Sequence, residues 1–80
     1  MDEYTVYIMN IDCGKWKQLA RFWSCGVATA YTLSKMDKLN NPYLRMKIVH
    51  RKYSDDGFEI LEEKVIFEQK YPHGNAFMES

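Results

Sequence analysis

The sequence predicts a small α+β domain of order ββαββ, in which one helix packs on one face of an antiparallel sheet of up to four strands. Two observations carry this prediction. Apolar residues alternate along segments on both sides of the chain centre, which is typical of strands, whereas residues 25–39 have the three- and four-residue apolar spacing of a helix. Clusters of Asn, Asp and Gly separate the alternating segments and predict turns between them.

The first alternating segment, residues 3–10, is rich in aromatic and β-branched residues and predicts the first strand. Residues 10–15 contain Asn, Asp and Gly and predict a hairpin tip. Residues 15–23 then predict the second strand. An alternative is a single helix over residues 15–39, but it would place Gly26 in the helix interior, where Gly costs close to 1 kcal/mol relative to Ala.

The helix is predicted to begin at Ser24, whose hydroxyl can accept a hydrogen bond from a backbone N–H of the first turn. Its main apolar face is predicted to contain Val27, Ala28, Tyr31, Lys35 and Leu39. The sequence 40–42, Asn-Asn-Pro, predicts the end of the helix, because Asn tolerates the left-handed conformation and Pro disfavours helical geometry in the residue before it. Leu33 and Met36 are predicted to lie on a different side of the helix.

The second hairpin is predicted from residues 43–53, which alternate as a half-buried strand, and from residues 58–69, which return after an Asp-Asp-Gly turn. The alternation is less regular over residues 61–65 and predicts a bulge or a break there. The predicted core combines apolar residues of all five elements. These are Val6, Ile8, Ala20, Phe22, Val27, Ala28, Tyr31, Leu44, Met46, Ile48 and Ile60.

Eighty residues make one domain, and a chain this short buries only about 60% of the surface that its unfolded form exposes. We expect residues 1–70 to fold and residues 71–80 to form a mobile tail, because these last residues have no apolar period and contain Pro and Gly. A hydrophobic share of 46% is too high for a disordered chain. The order of elements is similar to that of many small bacterial or phage proteins, but no motif indicates one family.

Composition predicts a cytoplasmic protein without a membrane partner. The N-terminus has no basic region followed by an apolar core of signal-peptide length, and no run of about 18 apolar residues could span a bilayer. Cys13 and Cys25 are expected to be free thiols. A strand between them would hold them about 25 Å apart, well beyond the Cα separation of about 7 Å that a disulfide permits.

The chain contains few residues that could form a catalytic or metal site, and we expect no enzyme activity and no cofactor. Its two histidines, His50 and His73, are predicted to lie at a strand end and in the tail. Cys25 falls in the first helical turn, where the helix dipole favours the thiolate, but no partner base is identifiable. The cysteines, histidines and carboxylates are not clustered at metal-ligand spacing.

Excess apolar surface predicts an interaction module. One helix can cover only one face of a sheet, yet apolar residues occur on both faces of the predicted strands, and large exposed apolar patches usually mark association surfaces. We therefore expect a homodimer, or a complex with another protein. The residues expected to make these contacts are Leu19, Trp23, Leu33, Met36 and Val49.

Nucleic-acid binding is the alternative function, because basic residues of the second and third strands could form a basic face next to the aromatic residues Trp23 and Tyr53. The basic residues are Lys15, Lys17, Arg21, Arg45, Lys47 and Arg51. Two facts oppose this reading. Eleven basic residues balance eleven acidic ones, and glutamates of the fourth strand are predicted to lie opposite the cations in cross-strand pairs.

Overall fold

The four strands of the described residues form one antiparallel sheet, and a single helix packs on one of its faces. A computed structural model describes residues 1–69. The elements are β1 (Asp2–Asn10), β2 (Trp16–Phe22), α1 (Cys25–Leu39), β3 (Leu44–Tyr53) and β4 (Ile60–Glu68). The strand order is β2-β1-β3-β4, so β2 and β4 are the two edges. The predicted α+β class and the ββαββ order are confirmed, and the expected tail over residues 71–80 lies outside the described residues.

Local hydrogen bonds form the first hairpin. The backbone N–H groups of Cys13 and Gly14 donate to the carbonyl of Asn10 at 3.0 Å, and the Asn10 side chain accepts from the N–H of Asp12 at 2.9 Å. Gly14 has a φ of 71°, which favours glycine. Because residues 16–22 pair with β1 along most of their length, the alternative helix over residues 15–39 is wrong.

The helix has the caps that the sequence predicts. Ser24 is extended at the N-cap, and its Oγ accepts a hydrogen bond from the Val27 N–H at 3.3 Å. Asn40 adopts the left-handed conformation with φ 40°, and its N–H donates to the Met36 carbonyl at 3.0 Å. Both boundaries therefore follow from short-range chemistry that the sequence contains.

The core lies between the helix and the sheet. Val6, Ile48 and Phe67 stand opposite one another on neighbouring strands, and they pack with Met46 and with Ala28 of the helix. All five of these side chains are buried. Three other predicted core residues, Ile8, Phe22 and Tyr31, pack against this group with partial exposure. The predicted core residues Ala20 and Leu44 are half-buried.

Three predicted placements on the helix and on β4 are wrong. The stripe that faces the sheet runs through Ala28, Thr32 and Met36, with Tyr31 also packed against the core, so Met36 lies on the sheet side and Val27 is 53% exposed. The small Ala28 and the hydroxyl of Thr32, which donates to the Ala28 carbonyl at 2.8 Å, allow this close approach. Ile60 is also 53% exposed, because it pairs with Tyr53 on the opposite face of the sheet.

The predicted irregularity in the fourth strand is confirmed as two shifts of register. Leu61 and Ile66 each lack an opposite residue on β3, while the strand continues through both positions. An extra residue changes which side chains face the helix. The shift at Ile66 brings Phe67 into register with Ile48, and the sequence prediction of the core missed Phe67 for this reason.

Candidate interaction face

The sheet surface that faces away from the helix is the candidate site, and we call it the helix-free face. Side chains alternate between the faces along each strand, and residues opposite one another across antiparallel strands share a face. The register therefore shows which residues belong to the helix-free face. Their side chains point away from the face that holds Val6 and Ile48. They are Glu3, Thr5, Tyr7, Met9, Trp16, Gln18, Arg21, Arg45, Lys47, Val49, Arg51, Tyr53, Ile60, Glu63, Val65 and Glu68.

Three residues of the helix-free face are buried although no element among the described residues covers it. Glu3 is 4% exposed, Thr5 1% and Val49 5%. Long side chains of the same sheet lie over them, chiefly those of Arg51 and Tyr53, which reach the Glu3 carboxylate. Arginine can cover neighbouring surface with its stem while its guanidinium makes polar contacts. Long side chains of the sheet thus form a second layer over this face.

Arg51 is the centre of a hydrogen-bond network in this layer. Its Nη1 donates to Glu3 Oε1 at 3.2 Å and to Thr5 Oγ1 at 3.3 Å, and its Nη2 donates to the Tyr7 hydroxyl at 2.7 Å. Its Nε donates to a carboxylate oxygen of Glu63. These contacts use all three guanidinium nitrogens, so Arg51 is held in one orientation.

Glu3 is the buried acid that balances this cation. Its carboxylate accepts from the Thr5 hydroxyl at 2.9 Å, and Arg21 lies 3.4 Å from its second oxygen. Burial by itself raises the pKa of Glu3, but the hydrogen bonds from Thr5 and Arg51 and the charges of the two arginines outweigh it. The pKa of Glu3 therefore lies below its ordinary value of 4.5. Glu3 stays ionised within the network at neutral pH.

Lys47 lies beside this network and is held by aromatic rings. Its ammonium is 4.3 Å from the centre of the Trp16 ring and 5.5 Å from that of Tyr7, distances at which cation–π attraction is favourable. Glu68 is opposite Lys47 in the register, yet no carboxylate of residues 1–69 lies within ion-pair distance of its ammonium. Arg45 donates instead to the backbone carbonyls of Pro42 and Leu44, at 2.6 and 3.0 Å.

A shallow groove of about 460 Å³ crosses this region. Its lining combines cations, one carboxylate, one aromatic ring and two valines, namely Tyr7, Lys47, Val49, Arg51, Glu63, Lys64 and Val65. Val65 is 48% exposed. The groove therefore presents apolar and charged surface together.

The residues expected to make apolar contacts do not form one patch. Leu33 is 39% exposed on the helix, whereas Met36 packs against the core. Leu19 is exposed on edge strand β2 at a register shift, and Trp23 is 62% exposed just beyond that strand, with the Arg21 guanidinium 5.9 Å from its ring. Val49 does lie on the helix-free face, but neighbouring side chains cover it. The surplus apolar surface is thus smaller and more divided than the sequence predicts.

The predicted basic set is also divided. Arg21 and Arg51 are paired with glutamates, and the pair of Arg51 with Glu63 is of the cross-strand kind that was predicted for the glutamates of the fourth strand. Lys17 is opposite Ile8 and therefore on the helix side of the sheet, and Lys15 lies beside the first hairpin tip. Only Arg45 and Lys47 of this set lie on the helix-free face without an ion-pair partner among residues 1–69.

Charge is segregated along the strands of the sheet. Lys15, Lys17, Arg45 and Lys47 lie at the end where β3 begins, which we call the basic end. Asp55, Asp56, Glu59, Glu62 and Glu63 lie at or near the turn between β3 and β4, which we call the acidic end. Asp2, Glu3 and Arg21 also lie at the acidic end. Asp12 and Glu68 offset two of the cations of the basic end, and Arg21, Arg51, Lys52 and Lys64 offset four of the seven carboxylates of the acidic end. Positive charge therefore remains in excess at the basic end, and negative charge at the acidic end.

A second polar cluster lies on the helix side of the sheet. His50 Nε2 is 2.9 Å from Asp2 Oδ1, and the His50 ring stacks on Tyr4 with centroids 4.5 Å apart. The hydrogen bond with His50 lowers the pKa of Asp2. The contact joins the first residues of β1 to β3. The sequence could not indicate it, because it depends on which strands are neighbours.

Other reactive groups are dispersed. Cys13 and Cys25 are free and exposed. Within residues 1–69, no three histidine, cysteine or acidic side chains come together in a way that could hold a metal ion. In the same part of the chain, no helix has both the length and the apolar character needed to cross a bilayer.

Comparison of the chain with known protein families, with curated proteins and with solved structures gave no match. The chemistry of the helix-free face is therefore the basis on which a function can be proposed.

Proposed function

We propose that the protein is a non-enzymatic interaction module that binds another protein through its helix-free face. One observation carries the proposal. The face displays tyrosine, tryptophan, methionine and arginine side chains, and two of its three arginines, Arg21 and Arg51, are paired with glutamates within the molecule. These residue types are enriched at protein–protein interfaces and at their energetic centres.

The internal pairing favours a protein partner. Burying an unpaired charge is unfavourable, so an interface normally has to supply a counter-charge for each cation that it covers. Arg51 already has Glu3 and Glu63 as partners, and Arg21 has Glu3. A largely neutral partner surface can therefore cover this region without leaving either arginine unpaired.

Preorganisation supports the same proposal. Ordering a long side chain at an interface costs about 0.5–1.5 kcal/mol. Arg51 is fixed by four side-chain partners, and Lys47 is held over two aromatic rings. Because these side chains are already ordered in the folded protein, binding requires less loss of side-chain entropy.

The size of the face sets the strength of binding that we expect. Four strands spaced about 4.8 Å apart and about 30 Å long give roughly 600 Å². A standard interface buries about 800 Å² on each partner. The face is therefore large enough for a transient complex or a weak dimer.

We place the module in the cytoplasm. The support is that both cysteines are exposed thiols, and exposed unpaired thiols are uncommon in oxidising compartments.

Site-specific photo-crosslinking in the cells that make the protein tests the proposed function. A benzophenone amino acid replaces Val65 on the helix-free face in one variant, and Leu33 on the helix in the matched control. Both positions are partly exposed, so neither substitution disturbs the core. We expect a discrete protein adduct from position 65 and none from position 33. Adducts from position 33 alone, or from neither position, would contradict the proposal.

Nucleic-acid binding is a second candidate because Lys47 lies over the Trp16 and Tyr7 rings and Arg45 follows on the same strand and face, an arrangement of cations and rings that suits a single strand. It predicts affinity for single-stranded RNA or DNA that falls steeply with salt and is lost in Lys47→Glu. The preferred proposal predicts no such affinity at ordinary salt. A fluorescence anisotropy titration with a labelled oligonucleotide distinguishes the two.

A further inference from the structure

We propose that the occupant of the helix-free face is a second copy of this chain, turned end for end, so that the basic end of each copy lies over the acidic end of the other. The inference rests on the proposed function and adds the partner and its orientation. It is carried by the segregation of charge along the sheet and by the position of the exposed apolar residue Val65.

Charge segregation is the first argument. The chain has equal numbers of acidic and basic residues, so the whole molecule neither attracts nor repels a second copy. The basic end includes Arg45 and Lys47 on the helix-free face, whereas Asp55 and Glu59 are exposed at the acidic end. A face-to-face pair with its two-fold axis perpendicular to the strands juxtaposes opposite charges at both ends. With the axis parallel to the strands, like charges would meet at both ends.

The position of the exposed residue Val65 fits the same axis. Thr5, Val49 and Val65 lie in one row across the sheet, and this row crosses the middle of β3 and β4. In the proposed pair the two-fold axis passes near this row. The exposed side chain of Val65 then faces its own counterpart midway between the charged groups of the two ends, so that an apolar contact is flanked by charge, as is usual in an interface.

Paired variants test both the partner and its orientation. The basic-end variant carries Arg45→Glu and Lys47→Glu, and the acidic-end variant carries Asp55→Lys and Glu59→Lys. Asp56 is left unchanged, because its carboxylate accepts hydrogen bonds from Ser54 and from the Phe58 N–H in the turn. A control with Lys35→Glu and Lys38→Glu makes the same charge change as the basic-end variant, but on the helix. Circular dichroism establishes that each variant is folded.

Sedimentation velocity then measures self-association as a function of concentration. We expect the wild type and the helix control to dimerise, and each single-end variant to bind its own copies at least about tenfold more weakly, because like charges then meet at both ends. Mixing the two single-end variants should restore dimers, since opposite charges meet again. Raising the salt concentration should weaken the wild-type dimer.

A chain that carries all four substitutions determines the orientation. In the end-for-end arrangement it should dimerise with itself but not with the wild type. In the opposite arrangement it would pair with the wild type and not with itself, which would overturn the inference. A wild type that remains monomeric at all concentrations would also overturn it. If position 65 then crosslinks to a different protein, the proposed function stands while this inference falls.

Discussion

The two faces of this sheet are buried by different means. On the helix side, Val6, Ile48 and Phe67 are covered by small residues of a separate element, Ala28 and Thr32. On the helix-free face, Glu3 and Thr5 are covered by arginine and tyrosine side chains of the sheet itself. The comparison shows that a single sheet with one helix can bury residues on both faces, provided that the second layer is a network of paired polar groups.

The neighbouring residues Ile48 and Val49 provide the strongest test of this comparison, because they are both buried but point to opposite faces. We expect Ile48→Ala to reduce the free energy of unfolding by about 3–4 kcal/mol, since it leaves a cavity between the helix and the sheet. Val49→Ala should cost only about 1–2 kcal/mol, because it removes less apolar volume and side chains can settle over it. Urea denaturation measures both free energies of unfolding, and equal losses would contradict the distinction between the two faces.

Glu3 tests whether the charged layer contributes to stability. Glu3→Gln keeps the shape but removes the charge that balances Arg51 and Arg21, and we expect a loss of about 2–3 kcal/mol, near the lower limit for breaking a buried pair. The control is Glu62→Gln, whose pair with Lys64 is exposed and should contribute less than about 1 kcal/mol. If the two variants unfold at the same denaturant concentration, the network does not contribute to stability.

The same carboxylate makes stability depend on pH. The folded pKa of Glu3 lies below the ordinary value of 4.5, so the unfolded chain binds more protons as the medium is acidified. The stabilisation from Glu3 is complete above about pH 4.5 and is lost as the pH falls through the lowered folded pKa. We expect a shallower acid dependence in Glu3→Gln than in the wild type. Part of the dependence should remain, because the pKa values of Asp2 and Asp56 are lowered as well.

The smallest expected effect on stability is that of Lys47→Met. This substitution keeps the long apolar stem and removes the ammonium from the Trp16 and Tyr7 rings, so it should cost no more than about 1 kcal/mol. Its effect on self-association should be larger than its effect on folding. Thermal unfolding and sedimentation of the same sample separate the two, and a large drop in melting temperature would assign Lys47 to the fold instead.

Local chemistry explains how much of this fold the sequence could predict. Ser24 and Asn40 mark the helix ends because their side chains and conformations act over a few residues. Pairing between the glutamates of β4 and the cations of β3 could be predicted because the two strands belong to one hairpin. Glu3 could not be placed, because its burial depends on β1 lying beside β3, which nothing local encodes.

The errors have equally specific causes. The helix stripe was predicted to include Val27 and not Thr32 because threonine looks less apolar than valine, although the small size of Ala28 and Thr32 is what allows close packing on the sheet. Phe67 was missed because the extra residue at Ile66 changes the face that follows it. The hydrophobic pattern of the sequence overestimated the open apolar surface, since it does not show which long polar side chains will cover it.

Methyl NMR spectra recorded from about 10 μM to about 1 mM, a range that brackets a weak dimer, show whether copies of the chain associate through the helix-free face. We expect the Val65 methyl signals, and to a lesser degree those of Val49, to shift progressively with concentration while those of Leu33 on the helix stay fixed. Shifts at Leu33 with Val65 unchanged would contradict this expectation.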